Sequence, residues 1–131
     1  MLENFKTSDD TFRLTEIFER MNSGKITVNT DLIQDKQIIR NVLDGIPFGG
    51  VVWCAEDMVG NKRILFKQTY FNTLLEFYNK TITLECDLSY DEIPPIRQSR
   101  FDDTNFTFRT IWYHPDLKIS DIKNKIEHNG G

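Results

Sequence analysis

The run Arg63-Ile64-Leu65-Phe66-Lys67-Gln68-Thr69-Tyr70-Phe71-Asn72-Thr73-Leu74-Leu75-Glu76-Phe77-Tyr78 changes its hydrophobic period part-way along. Arg63 to Phe66 is a short apolar run behind a Gly60-Asn61 turn signal, which predicts a strand. From Phe71 the apolar residues fall at i, i+3, i+4 and i+7 (Phe71, Leu74, Leu75, Tyr78), one face of a helix. Lys67-Gln68-Thr69 forms the polar junction between them. A strand-to-helix junction presents backbone N–H groups and the positive end of a helix dipole, so it suits an anion.

Upstream, Val51-Val52-Trp53-Cys54 is a continuous apolar run and predicts the hairpin partner of the Lys62–Phe66 strand, with Glu56 to Asn61 as the turn. Before it, Leu32, Ile39, Val42 and Leu43 line a helix that Asn29 or Thr30 would cap and that Gly45 and Pro47 close. Ile26-Thr27-Val28 predicts a short strand. Leu14, Ile17, Phe18 and Met21 predict a helix over residues 10–22. Asp9 and Asp10 would stand at its start and Gly24 just beyond its end. Residues 1–8 read as a loose leader.

Downstream, Ile82, Leu84 and Cys86 alternate with Thr83 and Glu85 as a half-buried strand. Asp87 to Asp103, with Pro94-Pro95, reads as a surface loop. Phe106 to Tyr113 predicts a strand ended by His114-Pro115. Ile119, Ile122 and Ile126 predict a final helix capped by Ser120, and residues 127–131 should fray. The order predicts one α+β domain over residues 1–131, a small mixed sheet with flanking helices.

The 131 residues carry a formal net charge of −4 and 39% hydrophobic side chains, including ten Phe. That is enough to build a core, and it lacks the basic footprint of a stand-alone DNA binder. The sequence has no run of about 18 apolar residues to span a bilayer. The Met1–Lys6 segment has no apolar stretch of a signal peptide, so the expected location is cytoplasmic. Cys54 and Cys86 both lie in strand-like runs and are expected to be buried thiols. With His114 and His128 they make no metal-ligand spacing.

The order of elements from Gln34, with the phrase Leu43-Asp44-Gly45-Ile46-Pro47 and the junction Phe66-Lys67-Gln68-Thr69-Tyr70, resembles the N-terminal domain of the GmrSD-type restriction endonucleases. The resemblance spans roughly residues 14–84 and implies a ParB/sulfiredoxin-like fold. Phe18-Glu19-Arg20-Met21-Asn22-Ser23-Gly24 also looks like an F-x-R-x-N-S-G phrase of that family, but stands before the Gln motif instead of after it. Where the family has D-G-Q-Q-R, only Gln68 remains; Phe66 replaces the Asp and Tyr70 the Arg. Where it has Gln-Arg, this chain has Gln34-Asp35. In the family these motifs are associated with nucleotide hydrolysis that drives cleavage of modified DNA, and a separate nuclease domain completes the full-length members.

Hydrolysis of that kind needs an acid for metal or water and an Arg against phosphate charge. Their loss implies a binding or regulatory module in prokaryotic or phage DNA metabolism or defence, without turnover. Its residual ligand site would comprise Gln34, Lys67, Gln68, Thr69 and Asn72, with Lys67 pairing with phosphate. The implied ligand is a nucleoside triphosphate with Mg²⁺, and the implied partner a DNA-processing protein. Two other readings stand beside it. One is a metal-dependent nucleotide hydrolase or nuclease using Asp35, Glu56 or Asp57. The other is a protein-interaction module or inhibitor. Trp53 and Tyr70 are candidates to stack a base, Arg97 and Arg100 to meet a nucleic-acid backbone, and His114 to act as a general base.

Overall fold

The computed structural model describes residues 6–28, 34–112 and 118–128. It shows a five-stranded mixed sheet and five α-helices. The elements are β1 (Lys6–Arg13), α1 (Leu14–Asn22), β2 (Ile26–Thr27), α2 (Lys36–Leu43), β3 (Val52–Glu56), β4 (Lys62–Ile64), α3 (Gln68–Tyr78), α4 (Pro95–Asp102), β5 (Asn105–Trp112) and α5 (Ile119–His128). The α+β reading therefore holds. No described helix is long and apolar enough to cross a membrane.

The strand order is β1-β5-β3-β4-β2. β3 and β4 form the expected antiparallel hairpin, with Cys54 opposite Ile64. β5 lies parallel to β3 and antiparallel to β1, and β2 lies parallel to β4. Alternation along the strands gives the sheet two faces. Val52, Cys54, Ile64, Phe106 and Phe108 join Leu14, Ile17, Phe18, Ile39, Phe71, Leu74, Phe77 and Phe101 in the main core beneath α1 to α4. Ala55 and Ile111 point the other way and are covered, with Leu65, by Ile122 and Ile126 of α5.

Several expectations are corrected. The leader is not loose throughout: Lys6–Ser8 belong to β1, and Asp9 and Asp10 are strand residues rather than the start of a helix. α1 begins at Leu14, where the Arg13 backbone N–H donates to Glu16 Oε1 at 3.2 Å. Its apolar face is the expected one, and Gly24 has the left-handed φ of +80° after its end. α2 is capped by Asp35, whose Oδ1 accepts from the Gln37 N–H at 3.1 Å.

The half-buried strand over Ile82–Cys86 is absent. Glu85–Asp87 is a single 3-10 turn in which Cys86 has φ +61° and an exposed side chain, so one of the two thiols is not buried. The expected loop at 87–103 contains a second 3-10 turn, Tyr90–Glu92, and then α4. Pro95 sits at the first position of α4, where its missing N–H costs nothing, and Phe101 is fully buried. Ser120 lies inside α5 rather than before it, and Glu127 and His128 belong to that helix. Asn29, Thr30, Leu32, Tyr113, His114 and Pro115, with residues 1–5 and 129–131, lie outside the described residues.

Candidate functional site

The junction quoted at the outset is where the sheet hands the chain to its central helix. β4 ends at Ile64, and Leu65 still donates its N–H to the Trp53 carbonyl at 2.9 Å. Lys67 then turns the chain with φ +62° and ψ +32°, and α3 starts at Gln68. A left-handed residue other than Gly carries backbone strain of about 1 kcal/mol or more. The Lys67 side chain does not cap the start of α3.

In front of this turn lies an open cleft of about 590 Å³. Its lining includes Lys67, Gln68, Thr69 and Tyr70 from the junction, Asp35 from the cap of α2 and Lys123 from α5. The α5 side is fixed by Ile122 and Ile126, both fully buried, and by Lys123 Nζ standing 5.3 Å from the centre of the Phe66 ring. Two lysines and one aspartate thus line the cleft at the start of a helix whose dipole is positive there, a field that favours an anion.

A second cleft of about 470 Å³ shares Lys67 with the first. Phe48, Gly49, Gly50, Trp53, Phe66 and Arg109 contribute to it. Arg109 stands over the Trp53 ring, 5.4 Å from its centre. Its Nε and Nη2 each donate to an Asp9 carboxylate oxygen at 2.9 Å. That pairing holds the Asp9 carboxyl below its ordinary range and raises Arg109, chiefly through the hydrogen bonds.

The structure brings Lys67, Gln68 and Thr69 together in the first cleft, while Gln34 and Asn72 are not part of its lining. The Gln34 amide donates to the Glu76 carboxylate on α3. Asn72 is 7% exposed, and its Nδ2 is the one buried side-chain polar atom without a partner among the described residues. Gln34 and Gln68 do not pair: the Gln68 Nε2 donates to the Leu65 carbonyl at 3.5 Å.

Tyr70 packs its ring on Phe48, Phe71 and Phe106, and burial pushes its hydroxyl up to about 12. It is a core aromatic with one edge at the cleft. Arg97 is taken by Asp44 at 2.9 Å. The sequence offers Asp35 only as a candidate metal ligand and gives no sign of Lys123 as a cleft residue. Asp35 is readable as a helix cap, but nothing in the spacing of Lys123 connects it to residue 67.

The acids proposed for a metal have separate roles. Glu56 accepts from Lys62 Nζ at 2.7 Å and from the Trp112 indole N–H. Asp57 Oδ1 accepts from the N–H groups of Val59 and Asn61, both at 3.0 Å, and so closes the β3–β4 turn. No cluster of three or more His, Cys, Asp or Glu residues suited to a metal occurs among the described residues. Comparison with models of known families, with curated proteins and with solved structures finds no match.

Proposed function

We propose that this domain binds a nucleotide, or another ligand carrying a phosphate chain, at the start of α3. In this reading it is a regulatory module related to the N-terminal domain of the GmrSD-type restriction endonucleases, with a ParB/sulfiredoxin-like fold. It would serve prokaryotic or phage DNA metabolism or defence without turning the nucleotide over. The observation that carries the reading is the pair Lys67 and Lys123, which line one cleft with the first turn of α3. Phosphate oxygens would meet two ammonium groups and the positive end of the helix dipole. Asp35, the carboxylate of that lining, fits a Mg²⁺ that arrives with the phosphates, because such ions are commonly held by one or two carboxylates plus phosphate oxygens.

Thermal unfolding with ATP, GTP and their diphosphates, with and without Mg²⁺, tests this. A ligand specific to the folded state adds about 2.7 kcal/mol at a hundredfold excess over its Kd. The midpoint should rise, and Lys67→Ala should abolish the rise. Unmoved midpoints with all four nucleotides would retire the reading.

A second reading, a module that docks on a DNA-processing protein, draws on the β3–β4 hairpin tip. Met58 and Val59 are 81% and 84% exposed there, on a turn that Asp57 bridges with two hydrogen bonds. Substituting both by Ser should release such a partner while leaving nucleotide binding intact; retention of the partner would exclude the tip as the contact.

A further inference from the structure

We infer that the cleft between Trp53 and the Gly49-Gly50 segment is a base subsite, which takes the ring of the same nucleotide whose phosphates meet Lys67. This rests on the phosphate reading of the first cleft and adds the class of ligand: a nucleotide rather than a bare polyphosphate.

Three features point the same way. The first is shape and surface. The cleft is lined by Trp53 and Phe66, which are only half-buried, although aromatic rings on a sheet usually vanish into a core. The part of the Trp53 ring that Arg109 leaves uncovered, together with the guanidinium plane itself, offers stacking to a nucleobase. Phe48, also half-buried, anchors the adjoining segment by packing on Phe71 and Phe106. The neighbouring Gly50 has φ +90°, and Cβ atoms at Gly49 and Gly50 would meet nothing within 4 Å. Backbone there is open to approach by a ring edge.

The second feature is Arg109. Asp9 engages its Nε and Nη2, while Nη1 has no partner among the described residues. The guanidinium is thereby fixed over Trp53 with one donor edge left for a ring carbonyl or nitrogen. Its charge is already balanced by Asp9, so the cleft recognises a neutral polar ring rather than a second anion. The third feature is continuity. Lys67 lines both clefts, so a ligand that spans them carries its charge at Lys67 and its ring beside Trp53.

The test uses the whole chain with a guanine nucleotide, a free nucleoside and inorganic tripolyphosphate as separate probes. Trp53 and Trp112 are the two tryptophans, so Trp112→Phe leaves Trp53 as the sole indole. The nucleotide should quench Trp53 emission and bind about tenfold or more tightly than tripolyphosphate, the effect of one stacked base. Trp53→Leu should bring nucleotide affinity down to that of tripolyphosphate and leave tripolyphosphate binding unchanged. If that variant fails to fold, quenching in the Trp112→Phe protein still decides. Equal affinities with unchanged Trp53 emission would overturn the base subsite while leaving the phosphate site standing. Quenching by nucleoside without any binding of tripolyphosphate would keep the subsite and remove the phosphate reading. Binding of a single-stranded oligonucleotide but of no mononucleotide would overturn the assignment to a nucleotide.

Discussion

Lys62 Nζ donates to Glu56 Oε1 at 2.7 Å across the β3–β4 hairpin, and the two side chains are only 10% and 18% exposed. Lys62 also donates to Thr110 Oγ1 at 3.2 Å, which in turn stands 3.2 Å from Cys54 Sγ. Removing one charge of a buried pair strands the other. Glu56→Ala is therefore expected to cost about 3 kcal/mol in urea unfolding. The double variant Lys62→Met, Glu56→Leu should cost less than that single change, since no charge is left uncompensated. A Glu56→Ala penalty below about 1 kcal/mol would mean that water reaches Lys62 well enough to replace the carboxylate.

The two cysteines should react on different terms. Cys86 is exposed, whereas Cys54 is fully buried and its thiol is pushed up, first by desolvation. The thiolate is the reactive form, so a chromogenic disulfide reagent should label one thiol per native chain quickly. The second should appear only at the rate of unfolding. Two fast thiols would contradict the burial of Cys54 behind Thr110.

Lys67 separates backbone strain from ligand contact. Lys67→Gly should keep or raise stability by up to about 1 kcal/mol, because Gly adopts the left-handed turn freely. Lys67→Val, with a β-branched side chain in that conformation, should lose about 1 kcal/mol. Both should lose nucleotide binding. A Gly variant as unstable as the Val variant would show that the turn is not where the strain lies.

Asp9 gives the sheet an acid-sensitive seam. Its folded value is lowered by the Arg109 hydrogen bonds from an ordinary 3.8. A lowered acid stabilises the fold above its unfolded value, and that contribution is lost as pH falls through the folded one. In a stability profile at low salt, Asp9→Asn should flatten the acid limb below about pH 4. Identical limbs for the variant and the parent would place the acid sensitivity elsewhere.

What the sequence made readable was what rests on periodicity. The β3–β4 hairpin, the apolar face of α3 and β5 all followed from apolar spacing. β1 was missed because Phe12 is its only large apolar residue, and its stability comes from backbone pairing with β5 and from Asp9–Arg109. α4 was missed because Phe101 alone buries a large side chain there, and Pro94-Pro95 reads as a breaker although Pro95 is acceptable at a helix start. The strand expected at Cys86 failed because alternation over five residues does not reveal the left-handed backbone at Cys86 and Asp87. Of the cleft, the Lys67–Thr69 wall was legible as a junction. The facing wall was not, since Lys123 arrives by packing of α5 on the far side of the sheet.

The sheet order also dictates when the domain can fold during synthesis. Among the described strands β1 is made before the others, yet it pairs with β5, made last of them, and β5 also flanks β3. A nascent chain ending before Asn105 has an orphan first strand and an unfinished edge on β3. Cooperative closure of the sheet must wait for that late strand, and until it arrives the earlier segments depend on local helices and on whatever holds nascent chains apart.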